Sequence, residues 1–217
     1  MRTASLALLA LGMAACTDAP DRSAEAEGPP EAPAQIPDAA EVLPEGESSD
    51  MDAPQSEARS GDGYSSAYTT LDLDGCEVLT SNPDEGASTT WRCPGYKGVA
   101  LFVQEGDLRF DVDAGVENDR FDTPSPFNRL GETVEWRMKD GAPVAVIFRY
   151  IVHNEIGPQP TELAVESIGT PRSAGCRVGR VAGSAPDANR QARRIADESA
   201  AAFDCANDQP IAVGSVS

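Results

Sequence analysis

The sequence predicts a mainly β domain of the α+β class: an antiparallel meander curled into a sandwich or half-barrel, with one C-terminal helix packed on it and two disulfides. Three observations carry this. Apolar and polar residues alternate with period two through most of the chain from Tyr64 onward, the pattern of half-buried strands. Short turn-forming clusters separate the alternating runs, which joins neighbouring strands locally. Four of the five cysteines, Cys76, Cys93, Cys176 and Cys205, fall inside the same stretch.

The chain opens with Met1-Arg2 and an apolar run from Ala4 to Met13, broken only by Ser5 and Gly12. As a helix such a run rises about 15 Å, roughly half a bilayer, so it has the length of a signal-peptide core and not of a membrane span. It ends in Met13-Ala14-Ala15-Cys16, which resembles the lipobox of bacterial lipoproteins, although that family favours leucine where Met13 stands. The resemblance implies a leader over 1–15, removed on export, and a diacylglycerol thioether on Cys16, which becomes the acylated N-terminus. Several acyl chains hold a protein stably on a bilayer without crossing it. The enteric pattern retains proteins at the inner membrane by an aspartate directly after the cysteine. Here that place is Thr17, so the resemblance implies the periplasmic face of the outer membrane.

Residues 16–63 read as a lipidated cysteine followed by a disordered tether. Seven prolines and no aromatic residue fall in 17–63, which otherwise holds mostly Ala, Glu, Asp, Ser and Gly. Residues 1–63 carry 13 acids and three bases, so about half of the chain's net charge of -19 sits in under a third of its length. Such a composition buries too little apolar surface to offset the entropy of ordering. About 47 such residues have a root-mean-square reach near 40 Å.

Residues 64–217 form the expected single globular domain. In Leu108-Arg109-Phe110-Asp111-Val112-Asp113 the apolar set is expected to face a core while Arg109, Asp111 and Asp113 face water. Val99 to Val103 precedes it, with Glu105-Gly106-Asp107 as the turn. Thr133 to Met138 pairs with Val144 to Val152 across Asp140-Gly141, residues that tolerate positive φ. The return strand is apolar on both faces apart from Arg149, as a central strand should be. Further strands are expected around 71–80, 89–93, 162–168 and 176–181.

Ser184 with Asp187 three residues later suggests a capping box, with Pro186 in the first turn. Ala188, Ala192, Ile195, Ser199, Ala202 and Phe203 then share one stripe at helical spacing. Its small residues predict a helix lying close against a sheet. Arg193 with Asp197, and Arg194 with Glu198, are expected on the wet side. With Cys16 committed to lipid, the four remaining cysteines allow three disulfide connectivities in an oxidising compartment. Sequence-local pairing is the simplest. It closes loops of about 18 and 30 residues, each contributing roughly 3 to 4 kcal/mol in the loop-entropy model.

Counting removes most catalytic chemistries. His153 is the only histidine, at the end of an apolar strand, where a hydrogen-bonded strand terminus is the plainer role than a general base. The chain contains no GxSxG, HExxH, P-loop or GxGxxG motif, and no CxxC pair for zinc or redox work, so no cofactor and no metal is expected. Asp72, Asp74, Asp111 and Asp113 alternate like calcium-loop ligands but lack the continuation such loops need. The acidic balance argues against a nucleic-acid partner. Paired carboxylates remain open, because the domain has 23 acids and sequence does not position them.

One loop concentrates interface-type residues. Trp91, Arg92, Tyr96 and Lys97 surround Cys93 and a Pro94-Gly95 turn, which a disulfide would hold in place at little ordering cost. That turn, the acidic strand from Glu105 to Val112, the Trp136 hairpin and the helix ending in Asp204-Cys205 resemble uncharacterised exported domains of proteobacteria over roughly 68–209. No activity is implied by that resemblance. The sequence reading is therefore a non-catalytic, membrane-anchored envelope module that binds a basic periplasmic protein or an envelope glycan. The alternatives are a carboxylate-dependent hydrolase of envelope polysaccharide and a structural spacer.

Overall fold

The computed structural model describes residues 63–215, apart from 85 and 126. The leader, Cys16 and the tether through 62 lie outside the described residues. Eleven strands, one short 3-10 turn (Leu73–Gly75) and one helix follow one another. They are β1 (Tyr64–Thr70), β2 (Glu77–Asn82), β3 (Ser88–Tyr96), β4 (Val99–Gly106), β5 (Arg109–Ala114), β6 (Asn128–Leu130), β7 (Thr133–Lys139), β8 (Ala142–Val152), β9 (Thr161–Ser167), β10 (Arg177–Ala182), α1 (Ala188–Ser199) and β11 (Ile211–Val213).

The protein is mainly β and antiparallel, as the alternation predicts. A four-stranded sheet runs β2-β3-β4-β5, and a seven-stranded sheet runs β1-β7-β8-β9-β10-β11 with β6 also on β8. Neither sheet closes, and a shared core lies between the two. Only β10 and β11 pair in parallel. The long β8 shares one edge between β7 and β6 and gives the other to β9.

Alternation along β8 divides the molecule into layers. Val146, Phe148 and Tyr150 join Trp136, Met138, Leu101, Val103 and Val112 in a core between the two sheets. Ala145 and Ile147 point to the opposite side and join Val165, Val178, Val181, Ala192 and Ile195 under the helix. A Cβ at Gly179 would stand 2.8 Å from Ile195 Cγ2, so glycine on β10 lets the helix lie close, as its small-residue stripe predicts. Both disulfides are the sequence-local ones, Cys76–Cys93 and Cys176–Cys205.

Four expectations are corrected. Tyr64–Thr70 is a strand, whereas the run from Leu71 begins with the 3-10 turn, its strand starting only at Glu77. The β4–β5 turn is centred on Asp107 and Leu108, both at positive φ (53° and 58°), one residue later than Glu105-Gly106-Asp107. The helix starts at Ala188 with Asp187 at its N-cap in the left-handed region and no side-chain cap bond. Ser184 instead lies in a turn closed by Ala185 N–H on Ala182 O and Gly183 N–H on Thr161 O. Finally, Asp111 and Asp113 do not face water. They are 3% and 4% exposed, because the segment after β5 folds back over them.

Candidate functional site

The loop singled out in the sequence is the outer corner of the four-stranded sheet. Its residues divide by strand alternation. Trp91 is half-buried and packs against the inter-sheet core, while Arg92, one position on, is exposed and stands opposite Glu77 in the β2–β3 register. The register shifts between Cys93 and Tyr96, so Pro94 and Gly95 form an irregularity. A Cβ at Gly95 would stand 1.8 Å from Val99 O, and only glycine permits that approach. Tyr96 then turns inward, its ring centroid 6.0 Å from that of the fully buried Trp136. Trp136 in turn donates from Nε1 to Thr69 Oγ1 at 2.9 Å.

Lys97 and Gly98 make the next turn at φ 49° and 82°. Lys97 Nζ donates to Gly141 O at 2.9 Å, fastening this corner to the β7–β8 turn of the other sheet. Beside the Cys76–Cys93 bridge a cavity of about 420 Å³ is lined by Gly75, Glu77, Arg92, Cys93, Pro94 and Gly95. The four sequence candidates therefore occupy one corner but split in role. Trp91 and Tyr96 build it, Lys97 ties it down, and Arg92 with Glu77 faces the cavity.

Two buried ionic networks flank the seven-stranded sheet. On the helix side, Arg137 is bidentate to Asp197 (Nε to Oδ1 2.8 Å, Nη2 to Oδ2 2.6 Å). Ser66 Oγ links Arg137 to Glu135, and Glu135 accepts two bonds from Arg193 at 2.6 and 3.2 Å. Arg193 Nη2 also donates to Tyr68 OH at 3.0 Å. Arg193 and Asp197 thus do not pair along a wet helix face; each reaches across to the sheet.

On the other side, Arg177 is fully buried. It donates from Nε to Glu166, and from Nη2 to Asp122 O (2.7 Å), Tyr150 OH (3.2 Å) and Asp111 Oδ1 (3.4 Å). The guanidinium also lies 5.6 Å and 5.5 Å from the Phe148 and Tyr150 ring centres. Asp111 accepts from Val112 N–H and Asp122 N–H, while Asp113 accepts from the backbone and side-chain nitrogens of Asn118. Burial raises all these acids. It pushes Asp113 up to about 7 against the two bonds from Asn118, and Glu166 up to about 8 against the Arg177 cation beside it. Asp111 and Glu162 are raised for the same reason.

Sequence reasoning missed both networks. The available signal was an arginine inside an otherwise apolar run, as in Trp136-Arg137-Met138 and Cys176-Arg177-Val178. His153 is exposed and donates its backbone N–H to Phe127 O at 2.8 Å. Among the described residues no three His, Cys, Asp or Glu side chains group as a metal site, and no helix is long and apolar enough to cross a membrane. No family model, no curated protein and no solved structure matches the chain.

Proposed function

We propose that the protein is an exported lipoprotein, acylated at Cys16, whose domain is a non-catalytic binding module working at the end of an acidic tether on the periplasmic side of the outer membrane. The observation that carries this is the division of the five cysteines. One directly follows an apolar leader and two alanines; the other four form two disulfides, the state that oxidising compartments maintain. The proposed binding surface is the corner formed by Trp91, Arg92, Tyr96 and Lys97, because the disulfide and the Trp136 stack hold it rigid, and a rigid surface loses little entropy on binding. Its partner at this corner is an envelope glycan; the other partner expected, a basic periplasmic protein, would be repelled by the exposed Arg92 and Lys97 here.

The hydrolase reading has one observation in its favour, a carboxyl raised to about 7 at Asp113. It is not preferred, since Asp111, Asp113 and Glu166 are buried under the 115–123 segment and line none of the cavities described at the corner, beside α1 or at the Pro158–Thr161 loop.

Two measurements test the proposal. Cys16→Ala is expected to move the protein from the membrane fraction to the soluble periplasmic fraction; a variant that stays in the membrane fraction overturns the anchor. Envelope capture on the oxidised domain is expected to recover a partner that Arg92→Glu with Lys97→Glu loses. Equal recovery by both forms removes the corner as the binding surface.

A further inference from the structure

We propose that the pocket beside the first turn of α1 binds a small organic carboxylate, with Arg149 as the residue that grips it. This is independent of the corner site and of the lipid anchor.

Arg149 is the single charged residue of β8, a strand paired on both edges. Half-burying a guanidinium removes part of its water, and hydrogen bonds or an opposite charge replace the lost solvation. The other buried and half-buried arginines, Arg109, Arg137, Arg177, Arg180 and Arg193, each have a carboxylate within 4.0 Å. Arg149, among the described residues, has none. It is held instead by two neutral acceptors, with Nη1 on Thr161 Oγ1 (3.0 Å) and Nη2 on Asn189 Oδ1 (3.2 Å). A guanidinium carries five N–H donors in a planar fork, so these two bonds orient the group without exhausting it. Among the buried and half-buried arginines of the described residues, Arg149 is thus the one positioned without a carboxylate partner, which points to an absent anion.

The space for that anion exists. Arg149, Asn189, Arg193 and Tyr68 line a cavity of about 250 Å³ whose apolar wall includes Ile147 and Leu163. Glu135 also lines the cavity, but it and Arg193 are paired with each other, so neither adds much free charge. Glu132 stands exposed at the rim, without an ion pair to Arg149. The N–H donors left over suit the oxygens of a carboxylate, and the apolar wall suits a short carbon chain behind it. A phosphate, more charged and more strongly hydrated, has only one uncommitted cation here to replace its water. The volume lies below the usual range for whole drug-sized ligands, so the occupant is a small acid or the carboxylate end of a longer chain.

The test is a backbone and arginine side-chain NMR titration of the oxidised chain from Thr17 onward. The probes are N-acetylalanine and, separately, inorganic phosphate, at constant ionic strength in chloride. N-acetylalanine is expected to give saturable shifts confined to Gly131, Arg149 and Asn189. Arg149→Gln is expected to weaken that binding at least tenfold. Glu132→Gln, which removes the rim anion and touches no core, is expected to tighten it about threefold. Scattered or unsaturable shifts, binding unchanged in Arg149→Gln, or stronger binding of phosphate than of N-acetylalanine overturns the proposal. Should Arg149→Gln fail to fold, Glu132→Gln decides alone, and unchanged or weaker binding there overturns it.

Discussion

The two faces of the seven-stranded sheet bury charge in opposite ways. Beneath the helix, Arg137 and Arg193 meet Asp197 and Glu135 one to one, with Ser66 and Tyr68 supplying the remaining partners. On the inter-sheet side, Arg177 and Arg180 confront Asp111, Asp113, Glu162 and Glu166, two cations among four acids. In a matched network each buried charge faces an opposite one. In an acid-rich one burial raises the carboxyls at Asp113 and Glu166, and the neighbouring acids add to the rise.

The largest predicted effect tests whether Arg177 holds the acid-rich side together. Arg177→Met leaves buried carboxylates facing each other and is expected to lower unfolding free energy by about 3 to 5 kcal/mol in urea at pH 7.5. Arg137→Met, whose neighbour Glu135 keeps Arg193, is expected to cost less, about 2 to 3 kcal/mol. Equal losses would erase the distinction between the faces.

Second in size is the response to pH. Folded Asp113 keeps its proton up to about 7, whereas the unfolded chain releases it near 3.8. The folded state therefore binds more protons across that window, and stability falls as pH rises through it. The share due to Asp113 levels off above about 7, while Glu166, raised to about 8, extends the fall beyond it. The decline attributable to Asp113 between pH 5 and pH 7 is expected to be roughly 2 to 3 kcal/mol. Asp113→Asn is expected to remove it, as read from urea midpoints at each pH; an unchanged slope would show that Asp113 is ionised throughout.

The smallest effect concerns Glu162, whose Oε1 is buried without a hydrogen bond and lies 3.7 Å from Arg180 Nε. Replacing its charge by Glu162→Gln is expected to be neutral or to stabilise by up to about 1 kcal/mol at pH 7.5. A loss above that would mean the long Arg180 contact contributes more than its geometry implies.

The unequal legibility of the two kinds of feature follows from range. The β7–β8 hairpin was readable because Asp140 and Gly141 fix a local turn and the flanking alternation fixes its faces. The two disulfides were readable because both close between neighbouring elements. Strand β1 was not. Its Ser, Thr and Tyr residues carry a weak period, and its pairing partner β7 begins at Thr133. Asp111 and Asp113 alternate like a wet face, and what covers them arrives from Asn118 and Asp122 through loop contacts that periodicity does not encode. The corner of Trp91 to Lys97 was found by residue type. Its inward and outward halves depended on the irregularity at Pro94-Gly95.

The start of β1 has a mechanical consequence. Any pull on the chain ahead of residue 63 enters the fold at Tyr64, whose hydroxyl donates to Asp197 O at 2.7 Å and accepts from Lys139 Nζ at 3.1 Å. Behind it, β1 runs antiparallel to β7 from Tyr64 opposite Lys139 to Thr70 opposite Thr133. Tension along the strand axis would load this ladder in shear, its rungs sharing the force. Tension at right angles would peel them open one after another, with the Tyr64 clasp the first to give.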